Sequence, residues 1–148
     1  VLELAQEAAR SLTAQAAAQA VHISVTGTAG TVFGVRRLLY EFARNLCENA
    51  VKYNVPGGSV TVEVAETDRD VTLLVRDTGI GIPEGDQSRV FERFYRVDKS
   101  HSRAIGGTGL GLSIVKHAVA YHHGTLRLES QPGKGTVITV TLPKEPTE

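Results

Sequence analysis

Asn45, Asn49 and Lys52 stand in the run Asn45-Leu46-Cys47-Glu48-Asn49-Ala50-Val51-Lys52-Tyr53. Their i, i+4, i+7 spacing puts two carboxamides and an ammonium on one helical face, at the rim of the core. Amide oxygens ligate a hard Mg²⁺ and lysine pairs with phosphate oxygens, so the set suits a phosphate–metal site. A solvated polar face fits the spacing equally well. The second element is Asp77-Thr78-Gly79-Ile80-Gly81-Ile82-Pro83. A carboxylate closing a buried strand can accept a hydrogen bond from an exocyclic amine, while the glycines let backbone approach a flat ring. A strand-end turn or a helix cap is the plainer alternative. The third, Gly106-Gly107-Thr108-Gly109-Leu110-Gly111-Leu112, opens a helix, where backbone amides and the helix dipole attract anions. It has neither the dinucleotide G-x-G-x-x-G spacing nor the G-x-x-x-x-G-K-[ST] of a P-loop. A glycine-rich turn without a ligand remains open for it.

These residues need positioning elements, and the hydrophobic pattern supplies them. Residues 2 to 20 are alanine-rich with Leu4, Ala8, Leu12 and Ala16 at helical spacing. A short β run (Val21, Ile23, Val25) follows. From Gly34 to Tyr53 a second helix is predicted, with Leu39, Phe42, Ala43, Leu46 and Ala50 as its apolar stripe. Pro56-Gly57-Gly58 must stop it. Two alternating strands carry Val60, Val62, Val64 and Val71, Leu73, Val75, joined by a polar turn from Glu66 to Asp70. Residues 77 to 107 form a long glycine-rich, charged stretch of the kind that is usually functional. Thr108 to His123 is predicted helical, with Ile114, Val115, Ala118 and Val119 inward. A final hairpin carries Leu126 and Leu128, then Ile138, Val140 and Leu142. This order predicts an α+β fold: a two-layer sandwich with three main helices on one face of a mixed, mostly antiparallel sheet.

Composition narrows the function classes. The chain has 148 residues, enough for one domain over 1–148 with its own core. Lys plus Arg and Asp plus Glu number 16 each, so no global field recruits nucleic acid or an anionic membrane, and an anion site must be built locally. Cys47, alone of its kind, excludes an internal disulfide and reads as a small buried residue. No apolar run is long enough to span a bilayer. The absence of methionine leads us to expect an excised fragment.

The three elements, in this order and separated by Phe91-Glu92-Arg93-Phe94-Tyr95-Arg96, strongly resemble the histidine kinase branch of the superfamily shared with type II topoisomerases, Hsp90 and MutL. Asn45 to Tyr53 matches the N box, Asp77 to Gly81 and Gly107 to Leu112 the two glycine boxes, and Phe91 to Arg96 the F box. Gly133-Lys134-Gly135-Thr136 and Leu142-Pro143 also look like this family, so the resemblance runs from about residue 34 to 143. It implies a Bergerat-type ATP-binding fold, with ATP and Mg²⁺ as cofactors. By similarity, Asn49 would coordinate Mg²⁺ with support from Asn45. Lys52 would contact phosphate, and Tyr53 would lie beside adenine. Asp77 would accept the adenine amino proton, backed by Thr136 through water, with Gly79, Gly81 and Ile82 lining the ring. Gly107, Thr108, Gly109, Leu110, Gly111 and Leu112 would form the phosphate loop. Arg96, Lys99 and Arg103 would reach the triphosphate from a lid.

In the ATPase relatives a glutamate one helical turn before the metal-binding asparagine activates water. Asn45 stands there instead, and a neutral carboxamide cannot be a general base. Glu48, beside Asn49 in sequence, reads as a solvated carboxylate. The site is thus expected to hold ATP for a nucleophile from elsewhere. The family's phosphoacceptor histidine is followed by an acidic residue. His22 precedes Ile23, His101 precedes Ser102, and His117, His122 and His123 fit no better, so all five read as structural or exposed. The partners implied are a phosphoacceptor and dimerisation domain of a parent kinase and, indirectly, a response regulator. The resemblance further implies a cytoplasmic domain, monomeric in isolation and without membrane contact, of a membrane-anchored sensor. Two alternatives remain: an ATP-binding regulatory module without phosphotransfer, and an anti-sigma serine kinase of the same superfamily. His123 departs from the family, where many relatives carry glycine.

Overall fold

The computed structural model describes residues 2–27, 34–81, 111–131 and 133–144. In chain order they form α1 (Leu2–Ser11), α2 (Thr13–Ala18), β1 (His22–Gly27), α3 (Arg36–Lys52), β2 (Ser59–Glu66), β3 (Asp70–Asp77), α4 (Gly111–Tyr121), β4 (Thr125–Gln131) and β5 (Gly135–Pro143). The strands make one sheet in the order β1-β2-β3-β5-β4. β1 and β2 are parallel, joined through α3, and every other pair is antiparallel. The mixed, mostly antiparallel sandwich expected from the element order is the one observed.

Strict alternation builds the core face. Val60, Val62 and Val64 of β2, Val71, Leu73 and Val75 of β3, and Ile138, Val140 and Leu142 of β5 are all buried. Period-2 side chains send them to one side of the sheet, where the stripe of α3 and residues Val115, Ala118 and Val119 of α4 complete a single core. Cys47 is buried in that core, and burial pushes its thiol up to about 12, so it stays a protonated, inert side chain.

Two expectations are corrected. The N-terminal helix is not continuous: it breaks at Leu12, whose backbone lies at φ −106°, ψ 5°. Ser11 Oγ donates to Ala8 O and Thr13 Oγ1 to Arg10 O, and such hydroxyl back-bonding competes with the helix ladder. Ile114 is 38% exposed, because it lies at the flank of α4, about 90° from the middle of the face that buries Val115, Ala118, Val119 and His122. Ser113 is buried instead.

His122 and His123 follow the last turn of α4. The His122 ring lies beside the Ala118 carbonyl (Nδ1, 2.8 Å), and its Nε2 accepts from Val35 N–H at 3.0 Å. Nδ1 therefore carries the proton, and the ring fastens the start of α3 to the end of α4. His123 sits at φ 60°, with its N–H on Ala120 O and Gly124 N–H on Val119 O. This is the left-handed C′ position of a Schellman motif, a site that favours glycine.

Candidate functional site

The end of β3, the end of α3 and the β4–β5 turn meet at one edge of the sandwich. Asp77 closes β3 opposite Thr136 of β5. Its Oδ1 accepts from Gly79 N–H at 2.9 Å. Burial raises the Asp77 carboxyl to about 6, against the opposing pull of the Gly79 and Thr136 backbone N–H groups. The result is a carboxylate held by backbone donors, with acceptor capacity left for a further N–H. Thr136 is buried, and its Oγ1 lies 2.8 Å from Ser130 Oγ, which also donates to Gly135 O at 3.0 Å. The Ser130 proton is thus used on Gly135, so Thr136 is the donor of that pair.

Backbone hydrogen bonds fix the turn after Asp77. Ile80 N–H donates to Tyr53 O at 3.0 Å and Gly133 N–H to Ile80 O at 2.8 Å, linking helix end, turn and hairpin in a row. Two glycines make the approach possible. A Cβ on Gly79 would run into the Tyr53 carbonyl, and one on Gly135, at φ 112°, into the Asp77 carbonyl.

Asn49 and Asn45 lie about 6 and 12 Å up the α3 axis from Tyr53. Asn45 Nδ2 donates to Glu41 O at 2.8 Å, so that carboxamide is turned onto its own helix. Among the described residues the Asn49 carboxamide makes no hydrogen bond, which leaves its oxygen able to ligate a hard cation. No group of three or more His, Cys, Asp or Glu residues that could hold a metal occurs among the described residues. Lys52 Nζ is 2.8 Å from Glu48 Oε1, and Arg44 Nη1 is 2.8 Å from Glu48 Oε2. Glu48 is therefore not the solvated carboxylate expected of it. Arginine one turn before and lysine one turn after close on it.

The structure brings Tyr53, Asp77, Gly79 and Thr136 into one cluster, with Gly81 on the turn beside it and Asn49 and Lys52 on the helix leading to it. Gly111 and Leu112 are the first residues of α4. Ile82, Arg96, Lys99, Arg103, Gly107, Thr108, Gly109 and Leu110 lie outside the described residues, as does most of the long stretch that contains them. Sequence reasoning missed a polar node that pins the helix end to the Asp77 turn. Asn54 Nδ2 donates to Ser59 O at 3.0 Å, Asn54 Oδ1 accepts from Val55 N–H, and Ser59 N–H donates to Thr78 Oγ1 at 2.9 Å. The signal was available, since an asparagine after a helix end and a threonine after a strand are both ready turn formers.

A family model described as "Histidine kinase-, DNA gyrase B-, and HSP90-like ATPase" matches residues 34–146. The chain is 47% identical over 133 residues to the sensor-like histidine kinase SenX3 of Mycolicibacterium smegmatis, covering 88% of this chain and 35% of that protein. It thus spans about a third of that relative's length. Among solved structures, the mycobacterial sensor histidine kinase MprB superposes with a TM-score of 0.85 at 34% identity, over 98% of this chain and 96% of the other. Full-length ShkA in complex with AMPPNP superposes with a TM-score of 0.82 at 26% identity, over 96% of this chain and 29% of the other.

Proposed function

The chain belongs to the histidine kinase-, DNA gyrase B- and HSP90-like ATPase family, and we propose that it binds Mg-ATP and donates the γ-phosphoryl group to a histidine on a separate dimerisation and phosphoacceptor domain. The proposal places it in two-component signalling, as one catalytic domain over residues 1–148 with the motif-bearing part at about 34–143. The single observation that carries it is Asp77, a partly buried carboxylate between the backbone amides of Gly79 and Thr136. An acceptor so placed at the edge of the sandwich suits the amino group of adenine. AMPPNP in the ShkA structure is a nucleotide of the same class.

In this reading Asp77 accepts from the adenine amine while Gly79, Gly81 and Ile82 line the ring, and Tyr53 flanks it. Thr136, its own proton given to Ser130, presents an oxygen to a water bridging toward the base. Asn49 lends its carboxamide oxygen to Mg²⁺, with Asn45 behind it. When bound, the metal neutralises phosphate charge. Lys52, Arg96 and the amides of Gly107 to Leu112 orient the phosphates. Nothing at Asn45 can deprotonate water, so ATP is retained until an imidazole nitrogen attacks the γ-phosphorus in line. The bond to the β–γ bridging oxygen breaks and ADP leaves, with catalysis by positioning and charge. Among the described residues no helix is long and apolar enough to cross a membrane. The proposal puts the domain in the cytoplasm, where ATP is available, as part of a sensor kinase.

The test is to mix this domain with the parent's phosphoacceptor domain and γ-labelled ATP. Label on the acceptor histidine, absent when either component is left out, is the expected result. ATP binding without transfer would make the domain a regulatory nucleotide module instead.

A further inference from the structure

The charged stripe of α3 is not uniform. Near the helix start, Arg37 and Glu41 pair at 3.4 Å with 85% of the arginine side chain exposed, an ordinary surface pair of little consequence. Toward the helix end that leads to Tyr53, Glu48 is bound on both oxygens at 2.8 Å, and the Glu48 and Lys52 side chains are only 21% and 20% exposed. A lysine carries a long flexible stem, and leaving it free until a ligand arrives costs affinity when it must be ordered. A carboxylate next to a triphosphate would by itself repel the ligand. Arg44, on the oxygen facing away from Lys52, offsets that charge.

We infer that Glu48 is a positioning residue that holds the Lys52 ammonium ready for the nucleotide phosphates, with Arg44 cancelling the carboxylate's charge. Two of the three ammonium protons remain for phosphate oxygens. The inference rests on the proposed reading that Lys52 meets phosphate. It assigns a task to two residues outside the nucleotide-contacting set.

The charge-conserving pair Arg44→Gln/Glu48→Gln isolates the effect, since it removes one positive and one negative charge together. Affinities of the chain for Mg-ATP and for adenosine are measured by calorimetry, in the native and Lys52→Ala backgrounds. The double variant is expected to weaken ATP by about three- to tenfold and leave adenosine unchanged. The loss disappears when Lys52 is already alanine. Glu48→Asp, which keeps the charge but shortens the reach, falls between, and its retention of adenosine binding certifies the fold. Equal weakening of ATP and adenosine, or a loss that persists without Lys52, would overturn the inference as general pocket damage. If Lys52→Ala weakens ATP but the double variant does not, the inference fails while the phosphate role of Lys52 stands. If Lys52→Ala leaves ATP untouched, that role fails and the inference with it.

Discussion

Replacing Asp77 with asparagine should make the protein more stable and a worse nucleotide binder. The carboxyl titrates near 3.8 in an unfolded chain and at about 6 in the fold, because burial penalises its charged form. A folded-state pKa above the unfolded one means that the fold binds the extra proton. Its stabilising effect is fully present below the unfolded value and is lost as pH rises through the folded one. With 1.36 kcal/mol per unit, ionised Asp77 costs the ligand-free fold up to roughly 3 kcal/mol at neutral pH. Asparagine matches the protonated acid in shape and never meets that cost. Its single acceptor oxygen must serve both the Gly79 and Thr136 N–H groups, however, which makes the figure an upper limit. Urea unfolding of both proteins should therefore show the variant ahead by up to about 2–3 kcal/mol near pH 7.5, and nearly level near pH 4. Carboxylates common to both proteins cancel in the difference. ATP affinity should move the other way, falling by on the order of 10- to 150-fold for loss of a charged acceptor worth about 1.5–3 kcal/mol. A stability gain that is absent, or equal at both pH values, would refute the burial argument. Unchanged ATP affinity would remove Asp77 from the adenine site.

Asn49→Ala should abolish the Mg²⁺ dependence of nucleotide binding while leaving adenosine affinity intact; a Mg²⁺ dependence that persists in calorimetry would put the metal on another ligand. His123→Gly should raise the thermal midpoint, because a left-handed backbone costs a side-chain-bearing residue about 1 kcal/mol, a few degrees for a domain of this size. A lower midpoint would mean that the His123 side chain does more than occupy a turn.

How legible these features were depended on the range of the interaction. The alternation of Val60, Val62, Val64 and of Val71, Leu73, Val75 gave the sheet's core face directly, because burial follows period 2. The stripe on α3 was equally readable. The break at Leu12 was not, since alanine-rich flanks favour a continuous helix and only the hydroxyls of Ser11 and Thr13 oppose it. Ile114 misled because apolar character at a helix edge does not by itself fix which way the residue faces. At the site, Asp77 and Gly79 were visible as a local motif. The close passage of Gly135 against the Asp77 carbonyl depends on residues far apart in sequence, and no local pattern announces it. The Glu48 contacts were within reach of i, i+4 arithmetic on Arg44 and Lys52, yet charges on a helix more often face solvent.

The row of backbone bonds from Tyr53 to Ile80 to Gly133 carries a consequence for how this protein can vary. Ile80 contributes a main-chain N–H and C=O to that row, while its side chain is 41% exposed. Its chemical identity is thus uncoupled from the joint it forms. Substitutions there can alter the polarity and bulk of the exposed turn with the framework left in register. A lineage, or an engineer, can change the surface presented at Ile80 without rebuilding the seam beneath it.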